Sequence, residues 1–365
     1  MVTPIRKKSE NHKQLGRNNI LVHSFQKNSD TSRSHSKKRL QKNSHSRSFK
    51  EKFKLYTGEQ LHWSKVILRL VGTVIPTILP WILLCSGYGF LVSAINHFRH
   101  FSFFSDSKVL PHVVLSLNIV LSLLLVFRTN TAHERFWEAR KLWGALVNAV
   151  RNLARGIWIY IEESRPQDRK AKEKAVRLVV AFTIAMKLHL RRDPINTELS
   201  PLMSSSQYCK LQQVNHAPIE VSLWLGNYLQ TQYERQQIDV FQLTALHKLV
   251  DELVNILGGC ERILKTPVPL IYTITLKALL CIYFLLLPWE LVNGLTWWTG
   301  PILGFISAIL LGIDEIGSEI EEPFGHDPND LPLDFICNTI NRNAEDLINL
   351  APPKNQFDEL EDIAA

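Results

Sequence analysis

The sequence lacks the usual signs of catalytic chemistry. No glycine-rich phosphate loop and no nucleophile elbow is present, and His133, Glu134 and Glu138 do not have metalloprotease spacing. An enzyme is therefore not expected, and no cofactor. The five cysteines (Cys85, Cys209, Cys260, Cys281 and Cys337) are widely spaced, without a Cys-x-x-Cys pair or a Cys/His grouping at ligand intervals. They read as reduced packing residues, with neither a disulfide framework nor a metal site expected. The basic start is followed by no apolar run before residue 65, which excludes the pattern of a secretory signal. Between residues 128 and 265 no window is apolar enough to cross a membrane.

Charge of each sign is scarce at one end of the chain. Residues 1–54 hold fifteen Lys/Arg against only Glu10, Asp30 and Glu51. From Asp314 onward, fourteen Asp/Glu face only Arg342 and Lys354. The net charge of +8 averages a basic head, a moderately basic middle and an acidic tail. Residues 1–54 are rich in Ser, Arg and Lys, a composition that overlaps organelle transit peptides; a disordered cytosolic arm is expected. Residues 351–365 read as an acidic tail. The arm lacks interleaved aromatics, so it predicts contact with anionic lipid headgroups and no nucleic acid as partner.

What the chain does have is apolar residues crowded into four windows: 66–95, 109–127, 268–291 and 295–313. A crossing needs about 20 such residues. The first window contains Pro76 and Pro80, which predict a kink or break that neighbouring helices can satisfy. The second ends abruptly at Arg128, after which a helical pattern with mixed charges and tryptophans continues to Trp158. That pattern predicts one helix leaving the bilayer for the cytosol. The third and fourth are separated by a few residues around Asn293-Gly294, so a tight hairpin is expected, flanked by Trp289, Trp297 and Trp298 as an interfacial aromatic belt. Placing Lys/Arg inside puts both termini and the middle in the cytoplasm. The middle, 128–265, reads as helical: Val176–Leu190 as a buried amphipathic helix, Asp193–Asn215 as a loop, then helices over Glu220–Gln236 and Asp239–Arg262. Lys277 is the one charge deep in an apolar run. Such a residue is a functional candidate, and a structural ion pair or carbonyl contact is at least as well supported.

Three stretches carry a resemblance: FRTNTAHERFWEARKLWGALVN (Phe127 to Asn148), GGCERILKTPVPLIYT (Gly258 to Thr273) and IDEIGSEIEEPFGHDPNDLPLD (Ile313 to Asp334). At these residues the sequence resembles the bestrophin family, more closely its bacterial and chloroplast branch, over about residues 55–350. The resemblance implies an all-α membrane protein with four transmembrane helices and helical cytosolic extensions. It also implies a homopentamer with one axial pore, surrounded by lipid and passing ions. Family members line that pore with the second membrane helix, whose three apolar rings form a neck. Counting back from Arg135-Phe136 places the rings on Ile119, Leu123 and Phe127. A second aperture at the cytosolic mouth maps loosely onto Phe241, in the IDVFQL stretch.

Spacing alone agrees that Ile119, Leu123 and Phe127 share a helix face, since i, i+4 and i+8 fall together. Any apolar helix shows such spacing, so packing or lipid contact is the alternative. Ser116, Asn118 and Ser122, on other faces, read as packing aids. The calcium-binding acidic run of animal members is interrupted here by His326 and Pro328. Calcium takes six to eight oxygens, so no calcium clasp is expected. Glu315, Glu319 and Glu322 have helical spacing and read as a solvated or inter-subunit salt-bridge face. The function implied is a channel for monovalent anions such as chloride. The alternatives are a monovalent cation channel of the same fold, or a non-conducting carrier or membrane scaffold. The host membrane is expected to be the plasma membrane, with a thylakoid or organelle membrane as the alternative.

Overall fold

The computed structural model describes residues 63–99, 108–327 and 329–350. The arm (1–54), the start of the 55–350 domain, part of the 96–108 connection and the 351–365 tail lie outside the described residues. The chain divides into two compact units, one ending at Arg69 and one beginning at Leu70; every contact below lies within the second.

Among the described residues all regular elements are helical. They are α1 (Trp63–Arg99), α2 (Leu110–Tyr160), α3 (Pro166–Arg191), α4 (Ser205–Leu211), α5 (Ala217–Glu234), α6 (Val240–Lys265), α7 (Leu270–Leu295), α8 (Thr299–Glu321) and α9 (Leu333–Leu350). Three stretches are long and apolar enough to cross a membrane: Ile75–Phe98, Leu110–Tyr160 and Val240–Glu321. The last runs through α6, α7 and α8.

Helix α2 organises the molecule. Its 51 residues form one uninterrupted helix about 77 Å long at 1.5 Å per residue. Two apolar clusters are strung along it. Near its start, Leu110, Val114, Leu121 and Leu125 pack with Cys85 of α1, with Leu276, Leu280, Tyr283, Phe284 and Leu287 of α7, and with Leu303 of α8. Further along, Trp143, Leu146, Leu153 and Ile157 enter a larger core with α3, α5, α6 and α9. Helix α3 sits at the centre of that core and is buried along nearly all of its second half, from Val176 to Leu188.

Several expected boundaries shift. Helix α1 continues through Pro76 and Pro80 without a break. The segment expected as loop between Asp193 and Asn215 contains a 3-10 turn (Ser200–Leu202) and α4. Ser204 nucleates α4 with a capping box: its hydroxyl accepts from the Gln207 amide at 3.3 Å, and Gln207 Oε1 accepts from the Ser204 amide at 3.0 Å. Leu199, Leu202 and Leu211 pin the segment to the core.

The turn between the last two apolar helices falls later than Asn293-Gly294, which remain helical. It lies at Thr296–Trp298, with Thr296 at φ 45°. That conformation is unfavourable for a β-branched residue. The Thr296 carbonyl holds it in place, accepting from Ser93 Oγ of α1 at 2.8 Å and from Thr299 Oγ1 at 2.8 Å. Helices α7 and α8 pack against one another across this turn.

Small residues let α1 and α8 cross closely. A Cβ added at Gly89 would stand 2.8 Å from Gly300 Cα, and one at Gly304 would meet Ser86 Cβ at 3.2 Å. This is the small-residue packing that brings apolar helices together where hydrophobic burial gives no net drive.

Candidate functional site

The apolar half of α2 has two faces. Leu110, Val114, Leu121, Leu125, Arg128 and Ala132 are buried against the other helices. At about 100° per residue, Ile119, Leu123 and Phe127 are centred on the opposite side. Their exposures in the single chain are 62%, 55% and 54%. These three therefore share one uncovered stripe of hydrocarbon, without charge and without an atom able to ligate a metal. Ser116, expected on another face, is only about 20° from Leu123 at 100° per residue and is exposed beside the stripe; its hydroxyl turns back on its own helix, donating to His112 O at 2.8 Å. Phe241 is on a different element, in the first turn of α6, and is 83% exposed. The single chain does not bring Phe241 into the α2 stripe. Lys277 is exposed on α7 and makes no ion pair among the described residues.

The uncovered stripe is held in orientation by polar contacts just below it. Arg128 is 3% exposed, with Nε 3.0 Å from Asp314 Oδ1 of α8, Nη2 donating to Ser318 Oγ at 2.7 Å and Nη1 donating to Thr273 Oγ1 at 3.1 Å. Glu321 Oε2 lies farther off, at 3.9 Å. One guanidinium thus ties α2 to α7 and α8 on the side opposite the stripe. Its five fixed donors suit it to that task better than a lysine. Tyr272 of α7 donates to Leu124 O at 2.7 Å, adding a second tie.

One helical turn or two further along, Arg135 closes a junction. Its guanidinium donates to the Thr266 carbonyl, to Ile263 O at 2.8 Å and to Glu321 O at 3.3 Å. The carbonyls at a helix C-terminus have no partner within the helix and carry partial negative charge. Arg135 satisfies those of α6 and α8 together. Glu321 Oε1 in turn accepts from the Val268 amide at 2.9 Å, where α7 is about to begin.

The acidic series on α8 divides. Glu319 accepts from Asn329 Nδ2 at 2.7 Å, inside the chain's own loop. In that loop Asp330 Oδ2 accepts from the Asp327 amide at 2.7 Å. Beyond it, Asp334 of α9 binds Lys187 at 2.9 Å and Arg191 at 2.9 Å. Glu198 meets Lys187 from the other side at 2.7 Å. Burial opposes the charge on Lys187, yet these two carboxylates outweigh it and raise its pKa above the ordinary lysine value.

The sequence matches the family model described as Bacterial/Fungal Bestrophin protein over residues 56–346. The chain belongs to the bestrophin family. This bestrophin is 50% identical over 302 residues to a voltage-dependent anion channel-forming protein of Nostoc sp., covering 83% of this chain and 97% of the relative. A protein of the same description from Synechocystis sp. is 48% identical over 291 residues, covering 80% and 93%. Among solved structures, a bacterial bestrophin homologue from Klebsiella pneumoniae superposes with a TM-score of 0.66 at 30% identity. That match covers 76% of this chain and all of the bacterial one.

The sequence reading did not single out the Arg128–Asp314 pair or the Arg135 clamp as contacts, although the quoted stretches contain all three residues. A signal was present for the first. Arg128 closes an apolar run and Asp314 closes another, and two opposite charges at matching depths of adjacent helices tend to pair.

Proposed function

We propose that this bestrophin is one subunit of a homopentameric channel that passes monovalent anions such as chloride through an axial pore. Four crossings, over 66–95, 109–127, 268–291 and 295–313, leave both termini on the cytoplasmic side of the plasma membrane. Helix α2 lines the pore, with Ile119, Leu123 and Phe127 as its neck and Phe241 as an aperture nearer the cytosol. The observation that carries this reading is the uncovered apolar stripe of α2, directly opposite the face that packs against α1, α7 and α8. Rings of such side chains gate by wetting and dewetting. The relatives' description as anion channel-forming proteins favours anions, and so does the basic excess of the middle segment. Clustered positive charge beside a vestibule raises the local anion concentration.

The test is purified protein in planar bilayers under a potassium chloride gradient. Discrete unitary currents reversing near the chloride equilibrium potential support the proposal. Reversal near the potassium potential would replace anion by cation conduction, and saturable flux without unitary events would replace the channel by a carrier.

A further inference from the structure

Away from α2's stripe, three ligand-type side chains from three separate segments converge. His189 is in the last turn of α3, His216 is the N-cap of α5, and Glu261 is near the end of α6. Both imidazoles aim Nε2 at the same atom, Glu261 Oε1, at 2.8 Å from His189 and 2.7 Å from His216. The two rings stack with centroids 4.3 Å apart and planes 31° apart. All three ligand atoms lie within 4.8 Å of one another, and all three residues are half-buried. The Nδ1 atom of His216 is buried without a partner.

We propose that His189, His216 and Glu261 form a binding site for a divalent transition-metal ion, with Zn2+ the best fit. Two neutral imidazoles and one carboxylate match the borderline character of zinc, and a fourth position is left for water. Zinc bonds of about 2.0–2.1 Å in tetrahedral geometry separate ligand atoms by roughly 3.3 Å. The two nitrogen–oxygen spacings of 2.7 and 2.8 Å need to open by about half an ångström, and all three ligand atoms already lie within 4.8 Å of one another, within reach of rotations about the side-chain bonds. Binding asks each Nε2 for its lone pair, so its proton moves to Nδ1 or leaves.

Lys265 occupies the other oxygen, Glu261 Oε2, at 2.9 Å, leaving Oε1 as a single ligand. Lys265 is largely exposed, so its charge is screened by solvent and opposes a cation only weakly. An ion here would cross-link α3, α5 and α6 close to the α6 terminus that Arg135 grips.

The full chain, stripped of metal in detergent, is titrated with ZnCl2 against a chromophoric chelator. One Zn2+ per chain is expected, with affinity falling by more than about 100-fold in His189→Gln and in His216→Gln. Loss of second-shell partners already costs 10–100-fold, and these are direct ligands. No bound zinc, or an affinity in either variant unchanged from that of the unaltered protein, overturns the site. If a variant fails to assemble, Co2+ absorption of the unaltered protein decides. Tetrahedral ligand-field bands without thiolate charge transfer support the site, whereas a thiolate band or a weak octahedral spectrum refutes it.

Discussion

At the scale of single residues, the decisive contrast is between hydrocarbon that is uncovered and charge that is covered. Leu123 is at the middle of the proposed neck and is 55% exposed in the single chain. Replacing it by alanine removes three carbons from every copy. Leu123→Ala is expected to widen the constriction and raise unitary conductance, and an unchanged conductance in single-channel records would remove Leu123 from the permeation path. Arg128 behaves in the opposite way. It is buried, and its nearest carboxylate is Asp314 at 3.0 Å, with Glu321 farther off at 3.9 Å. Breaking a buried pair by removing one partner strands the other charge and costs about 3–5 kcal/mol. Asp314→Asn should therefore lower the thermal midpoint markedly in detergent, whereas Arg128→Met combined with Asp314→Leu should recover much of the loss. A single variant as stable as the double one would show that the pair carries no coupling.

At the scale of elements, most of the fold was legible because its signals are local. Apolar windows and helical periodicity marked α1, α2, α3, α5, α6, α7 and α8 to within a few residues at most of their ends. The misplaced hairpin turn shows what local signals omit. Asn-Gly is a strong turn former, yet the chain turns at Thr296, where Ser93 from α1 supplies a hydrogen bond that no neighbouring residue could foretell. The His189–His216–Glu261 cluster was illegible for the same reason: its members are separated by 27 and 45 residues, and only the packing of three helices unites them. The neck positions came from resemblance to a family, since their spacing alone is shared by any apolar helix.

The closeness of α1 and α8 permits a controlled test. Gly89→Ala puts a Cβ 2.8 Å from the Gly300 backbone, whereas Gly87 on the same helix has nothing within 4 Å. Both changes alter helix propensity alike, by about 1 kcal/mol in favour of the helix. Gly89→Ala is expected to lower the thermal midpoint relative to Gly87→Ala, and equal midpoints would mean that the crossing relaxes without strain.

The loop between α8 and α9 offers a pH test. Burial pushes the Asp330 carboxyl up to about 6, against the hydrogen bond from the Asp327 amide and the charge of Arg191, with the carboxylates of Asp327 and Glu319 adding to the rise. A carboxyl raised above its unfolded value of about 3.9 contributes stability that is complete below that value and lost as pH rises through about 6. Asp330→Asn retains an oxygen for the Asp327 amide but cannot ionise. The variant should be the more stable at pH 7.5, with the difference shrinking toward pH 4; a difference independent of pH would remove ionisation as its cause.

At the scale of the whole molecule, lipid and water make different demands on exposed hydrocarbon. Acyl chains can cover Leu83, Leu84 and Leu115, which lie in apolar stretches. In the proposed topology they do not reach Trp137 of the polar half of α2, or Ile219 and Leu223 of α5, which are 51%, 40% and 53% exposed. Apolar side chains left on a water-facing region mark surfaces that meet another protein, and in a symmetric ring that protein is the next copy of the same chain. The polar half would then hold the ring together while the neck residues of α2, facing inward, add little to its strength. Leu223→Glu should accordingly shift native mass spectra of the detergent-solubilised protein from five copies toward single chains, whereas Leu123→Glu, at an axis filled with water, should leave five. If Leu223→Glu leaves the assembly intact and Leu123→Glu dissolves it, the α2 stripe is an intersubunit seam, and the axial neck is assigned to the wrong face of the molecule.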